Sequence, residues 1–86
     1  MRDSTWQAVL DAEVRRWAAL PWERLASELR DVVAYEVTVN SRHYQVEVEL
    51  LVETDRYLQV MVAVDDGTLP SSLLPLTQTF MCSKPR

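Results

Sequence analysis

Three consecutive runs of strict alternation constrain this chain more than any other feature. Val33, Tyr35, Val37 and Val39 share one face of the first run. Tyr44, Val46, Val48, Leu50 and Val52 share one face of the second, and Leu58, Val60, Val62 and Val64 one face of the third. Side chains alternate between the two faces of a strand, so apolar residues at every second position specify half-buried β-strands. Most of these positions are β-branched Val, which packs well on a pleated surface.

The segments between the runs carry turn chemistry. Asn40-Ser41 fits a two-residue type I′ turn, in which both central residues need positive φ and Asn tolerates that region. This turn sets Val37 opposite Tyr44, Tyr35 opposite Val46 and Val33 opposite Val48. All are inward residues, so turn and pattern agree on one register. Keeping Val52 opposite Leu58 requires an odd loop, and Thr54-Asp55-Arg56 supplies three residues. After Asp65-Asp66-Gly67 the alternation weakens. Thr68 to Pro75 reads as a loop with room for a helical turn, and Leu76 to Cys82 as a fourth strand with Phe80 docked on the core.

Before the strands lies an amphipathic helix. Ser4-Thr5-Trp6-Gln7 fits a capping box. Trp6, Val9, Leu10, Val14, Trp17 and Leu20 recur at three- and four-residue spacing and form one stripe. Asp11 with Arg15 and Glu13 with Arg16 are placed on the other side at helical spacings. Pro21 cannot continue a helix but suits the first turn of a new one. The pattern therefore predicts a first helix to about Leu20, a bend, and a short second helix over Pro21–Leu29, or else one long kinked helix. Trp22, Leu25 and Leu29 continue the apolar face.

Together these readings predict an α+β domain spanning residues 1–86. Its N-terminal helices, bent at Pro21, pack on one face of a three- to four-stranded antiparallel meander. A chain of 86 residues has a thin core. With Cys82 as its one cysteine it has no internal disulfide, and no Cys/His cluster implies structural zinc. Self-association is the remaining common way to add buried area. The lone cysteine and the lack of an apolar leader predict a reducing, cytoplasmic setting, and no apolar run is long enough to span a bilayer.

The net charge of −4 is unevenly spread. Residues 1–30 balance five Arg against five acids, whereas residues 31–86 hold four basic groups against eight acidic ones. The sheet half carries the whole excess. Nucleic-acid binding draws its affinity from neutralised phosphates, so an acidic sheet argues against it.

The same register assigns the outer face. Val32, Ala34, Glu36, Thr38 and Asn40 face outward from the first strand. His43, Gln45, Glu47, Glu49, Leu51 and Glu53 do so from the second, and Tyr57, Gln59, Met61, Ala63 and Asp65 from the third. Val32, Ala34, Leu51, Tyr57 and Met61 are the candidate interface positions on this face. The single His43 falls near Glu36, Gln45 and, diagonally, Asp65. A histidine among carboxylates is the arrangement expected of a general base or a weak metal site, and equally of a surface ion pair at a sheet end. Cys82 has only Lys84 nearby to activate it. No cofactor motif is present.

The amphipathic Trp/Leu/Pro helix, the strand Arg42-His43-Tyr44-Gln45-Val46-Glu47-Val48, the segment Val60-Met61-Val62-Ala63-Val64-Asp65-Asp66-Gly67 and the closing Pro75-Leu76 to Phe80 together resemble a family of small bacterial domains of unknown function. The resemblance covers most of the chain and implies no activity, cofactor or catalytic residue. The chain departs from that pattern after Gly67, where Thr68-Leu69-Pro70 stands in place of an aromatic stretch.

These readings predict a non-enzymatic interaction or accessory domain, partnered by a second copy of itself or by another protein. The physical reason is an edge. Val32 to Asn40 contains no Lys, Pro or Gly, the residues that commonly protect an edge strand. Either the segment around Leu76–Cys82 covers it or another chain does. Two alternatives remain: a small enzyme or metal-binding domain centred on His43 and Asp65, and an acidic protein of the antitoxin or immunity kind that masks a basic target.

Overall fold

The computed structural model of the protein describes residues 4–68 and 74–85. Helix α1 spans Ser4–Ala18 and α2 spans Trp22–Glu28. Strands β1 (Val33–Val39), β2 (Arg42–Glu53), β3 (Tyr57–Asp65) and β4 (Leu76–Ser83) follow and form one antiparallel sheet in the order β1-β2-β3-β4. This is the expected α+β meander, with the fourth strand present.

Pro21 separates two helices. It is extended, at φ −72° and ψ 163°, and its carbonyl accepts the Leu25 N–H at 3.1 Å as α2 begins. The continuous kinked helix is therefore excluded. α1 includes Ser4, and the Gln7 amide donates to Asp11 Oδ1 at 2.9 Å, one turn further on.

The first hairpin matches its sequence reading pair for pair. Val37 lies opposite Tyr44, Tyr35 opposite Val46 and Val33 opposite Val48. Asn40 and Ser41 have φ of 52° and 65°, as a type I′ turn requires.

The second hairpin corrects the sequence reading. Thr54 N–H donates to the Tyr57 carbonyl at 2.9 Å, and Thr54 Oγ1 accepts from the N–H of Arg56 and of Tyr57. The loop is thus the two residues Asp55-Arg56, not three. An even loop sets Glu53 opposite Leu58 and Val52 opposite Gln59. A bulge between Leu50 and Val52 then restores Leu50 opposite Val60. A two-residue loop plus one bulged residue has the same parity as a three-residue loop, so the pattern beyond the bulge cannot tell them apart. Locally the faces swap. Val52 joins the outer face, and Glu53 turns to the helix side, where it lines a cleft with Trp22 and Arg30.

The core is a single cluster. Trp6, Val9, Leu10, Val14 and Trp17 of α1, with Leu25 and Leu29, meet Tyr44, Val46, Val48, Leu58, Val60, Val62, Val64 and Leu76 of the sheet. Each fully buried Val or Leu contributes roughly 1.5–3 kcal/mol. The Trp6 indole N–H donates to the Val64 carbonyl at 2.8 Å and pins the start of α1 to β3. Among the described residues, no helix is long and apolar enough to cross a membrane.

The Tyr44 hydroxyl is buried and has no hydrogen-bond partner among the described residues. An unsatisfied buried hydroxyl costs about 1–3 kcal/mol. We predict that Tyr44→Phe raises stability by about 1 kcal/mol, read as a higher urea midpoint at unchanged slope. A lowered midpoint would show that the hydroxyl has a partner in solution.

Candidate functional site

The sheet has two outer strands, and the helix layer does not treat them alike. α1 lies chiefly over β4 and β3. The inward residues of β2 and β3, apart from the half-buried Leu50, are consequently buried, whereas Val33, Tyr35, Val37 and Val39 of β1 are all only half-buried. β4 pairs with β3, so it covers the far edge and leaves β1 open among the described residues. Of the two ways the sequence offered to protect β1, the internal one is not used.

The turn geometry identifies which backbone groups are open. A two-residue hairpin closes on a hydrogen-bonded pair, here Val39 with Arg42, and hydrogen-bonded pairs then alternate along the ladder. Val33, Tyr35, Val37 and Val39 therefore bond to β2. The N–H and C=O groups of Ala34, Glu36 and Thr38 point to the open edge.

Both faces beside this edge are ordered by side-chain contacts. On the outer face Glu36 Oε1 lies 3.0 Å from His43 Nδ1, and Gln45 Nε2 donates to Glu36 Oε2 at 2.9 Å. Thr38 Oγ1 lies 3.1 Å from the same His43 nitrogen. Three of the four residues of the polar cluster are thus brought together. Asp65 stands opposite Gln45, and its Oδ1 accepts the Gly67 N–H at 2.7 Å, where φ is 80° and glycine is needed. It serves the exit turn. His43 and Glu36 are both more than half exposed, so theirs is a solvated pair of small energetic weight. Among the described residues, no three His, Cys, Asp or Glu side chains gather closely enough to hold a metal ion.

On the inner face the sequence reading missed Glu13. It is 8% exposed, not on the solvent side, and it accepts a hydrogen bond from the Tyr35 hydroxyl. The Trp17 indole N–H donates to the same hydroxyl at 2.8 Å, and the two rings stack at 6.5 Å. Arg16 lies 5.3 Å above the Tyr35 ring and 3.7 Å from Glu13. A signal was available, since Glu13 is three residues after Leu10 and four before Trp17 and so lies on the apolar stripe. This cluster anchors β1 to α1.

Burial, reinforced by the bond to Glu13, pushes the Tyr35 hydroxyl up to about 12, against the opposing Trp17 N–H and Arg16 charge. A hydroxyl raised in the folded state contributes stability that is complete below its ordinary value near 10 and is lost as pH climbs towards 12. Urea denaturation between pH 9 and pH 12 is predicted to show that decline. Tyr35→Phe should flatten it, and an unchanged slope in the variant would assign the decline elsewhere.

The candidate interface positions are spread over the start of β1, the bulge of β2 and β3. Val32, at 53% exposed, and Ala34 lie at the β1 edge. Leu51, at 44%, is the extra residue of the bulge. Tyr57 and Met61 are half-buried on β3, beside Met81 of β4, which is 57% exposed and was not singled out in the sequence because its strand had no assigned neighbour. Cys82 is a half-buried free thiol. No family model, curated protein or solved structure matches the chain.

Proposed function

We propose that this chain is a small, non-enzymatic protein–protein interaction domain that associates with itself in the cytoplasm, using β1 as its recognition edge. The observation that carries this reading is the open β1 backbone. It has three outward-pointing residues, none of them Lys, Pro or Gly, on the strand the helix layer covers least. Strand addition satisfies such groups and buries the apolar side chains next to them. Burying Val33, Val37 and Val39 further would enlarge a core that is thin in a chain of this size.

Sedimentation equilibrium over a wide concentration range tests this. The expected result is a reversible rise to about twice the chain mass of 10.0 kDa. A single 10.0 kDa species throughout would overturn self-association.

A second reading rests on the acid-rich outer face, where Glu36, Glu47 and Glu49 lie on β1 and β2. A basic partner protein would be steered to it, with an on-rate that falls steeply as salt is added.

A further inference from the structure

We propose that the occupant of the β1 edge is a second copy of this chain, paired antiparallel about a two-fold axis that passes between the two Tyr35 residues. This rests on the reading of β1 as the edge through which the chain associates with itself and adds the register of the pair.

The backbone limits the choices. Within β1, Ala34, Glu36 and Thr38 present N–H and C=O groups outward, so a stable pairing sets at least two of them against these same residues in the second copy. Identical antiparallel edges are related by a two-fold axis normal to the sheet, which keeps both helix layers on one side. Three centres satisfy these conditions: Tyr35, Glu36 and Val37.

Charge and turn geometry choose among them. Centring on Glu36 sets two carboxylates directly opposite each other, which destabilises a strand pair. Centring on Val37 runs Ala34 against Asn40 and Val33 against Ser41, residues that have already left the extended region at φ 52° and 65°. Centring on Tyr35 avoids both. It sets Val33 opposite Val37 and Tyr35 opposite Tyr35 on the inner face, and Ala34 opposite Glu36 on the outer one. The exposed Val32 gains a position opposite Thr38.

The inner face is also self-complementary. The half-buried row of β1 is apolar or aromatic from end to end, and aromatic and β-branched pairs are favourable directly across an antiparallel ladder. Beside this row lies a cleft of about 320 Å³, with Trp17, Leu20, Val33 and Tyr35 on its walls and Arg16, Arg24 and Glu28 completing its lining. In the Tyr35-centred pair the two clefts face each other across the axis, so one contact closes backbone edge, strand row and cleft together.

Disulfide trapping under mild oxidation, in a Cys82→Ser background, reads the register. Non-hydrogen-bonded partners in an antiparallel pair have Cα atoms about 4.5 Å apart, within the roughly 4.4–6.8 Å that a disulfide bridges. Residues two positions out of register lie beyond that reach. Tyr35→Cys is expected to give a covalent dimer as the main product, and Glu36→Cys and Val37→Cys to stay uncrosslinked. Tyr35→Cys also removes the contacts to Glu13 and Trp17. The double variant Ala34→Cys/Glu36→Cys is therefore measured beside it, and is expected to cross-link where neither single variant does. Trapping at Glu36 or Val37 alone overturns the register and leaves the interaction edge standing, whereas trapping at none of these positions in a chain that sediments as a dimer overturns the edge as well. A monomer at every concentration overturns both.

Discussion

Ala34→Pro is expected to leave the domain folded and to weaken the proposed self-association about a hundredfold. The Ala34 N–H points away from β2, so proline there removes no bond of the existing ladder, and edge strands accept proline on the solvent side. Val33 is already extended, as a residue before proline must be. At the open edge the same change deletes a donor and leaves its acceptor unmatched. Two-fold symmetry applies the loss twice. Two hydrogen bonds at about 1–1.5 kcal/mol each come to roughly the 2.7 kcal/mol that a hundredfold change in affinity represents. Sedimentation equilibrium checks the affinity, and an unchanged thermal transition at low concentration checks the fold. A variant that dimerises as tightly as wild type would place the interface elsewhere.

Trp17→Ala is expected to be the most damaging single substitution for stability. Trp17 is 6% exposed and joins α1 to β1 through its ring and its N–H. Truncating a buried Trp costs about 3–5 kcal/mol through lost burial and the cavity left behind. It would also leave Tyr35 hydrogen-bonded to Glu13 alone. Domains have about 0.05–0.15 kcal/mol of stability per residue, roughly 4–13 kcal/mol for 86 residues, so the loss takes a large share of it. Denaturant titration followed by far-ultraviolet circular dichroism should show a stability lower by about 3–5 kcal/mol. A midpoint within about 1 kcal/mol of wild type would mean that α1 is not held to the sheet as described. Trp17→Phe, which keeps an aromatic ring there, is expected to fall between the two.

The strands, the first hairpin and the two helices were legible in the sequence because each rests on a local signal repeated several times. Val33, Tyr35 and Val37 agree with Asn40-Ser41, and no other register satisfies both. The second hairpin was legible only in parity. Thr54 caps a turn through its hydroxyl, and nothing in the alternation before Leu50 distinguishes a bulge at Leu51 from a longer loop. Leu51 and Val52 are both apolar, which hides the slip. Glu13 was misplaced because a carboxylate was assigned to solvent by type, although its spacing from Leu10 and Trp17 put it on the buried stripe. Tyr35, one face over, supplies the partner that makes such burial tolerable.

The edge itself was legible as a composition, since Val32 to Asn40 lacks protective residues, but its fate was not. Whether Leu76–Ser83 pairs with β1 or β3 depends on a connection that carries no periodic signal. The polar cluster was read correctly for Glu36, His43 and Gln45, whose positions follow from the first hairpin. Asp65 stands opposite Gln45, as that register requires, and one of its carboxylate oxygens accepts the Gly67 N–H of the exit turn.

Amide hydrogen exchange at Ala34, Glu36 and Thr38 tests the central claim most directly. These three amides are expected to exchange freely in dilute protein and to become protected together as concentration rises, while the already bonded amides of Tyr35 and Val37 change little. Free exchange at all three in a sample that sediments as a dimer would contradict it.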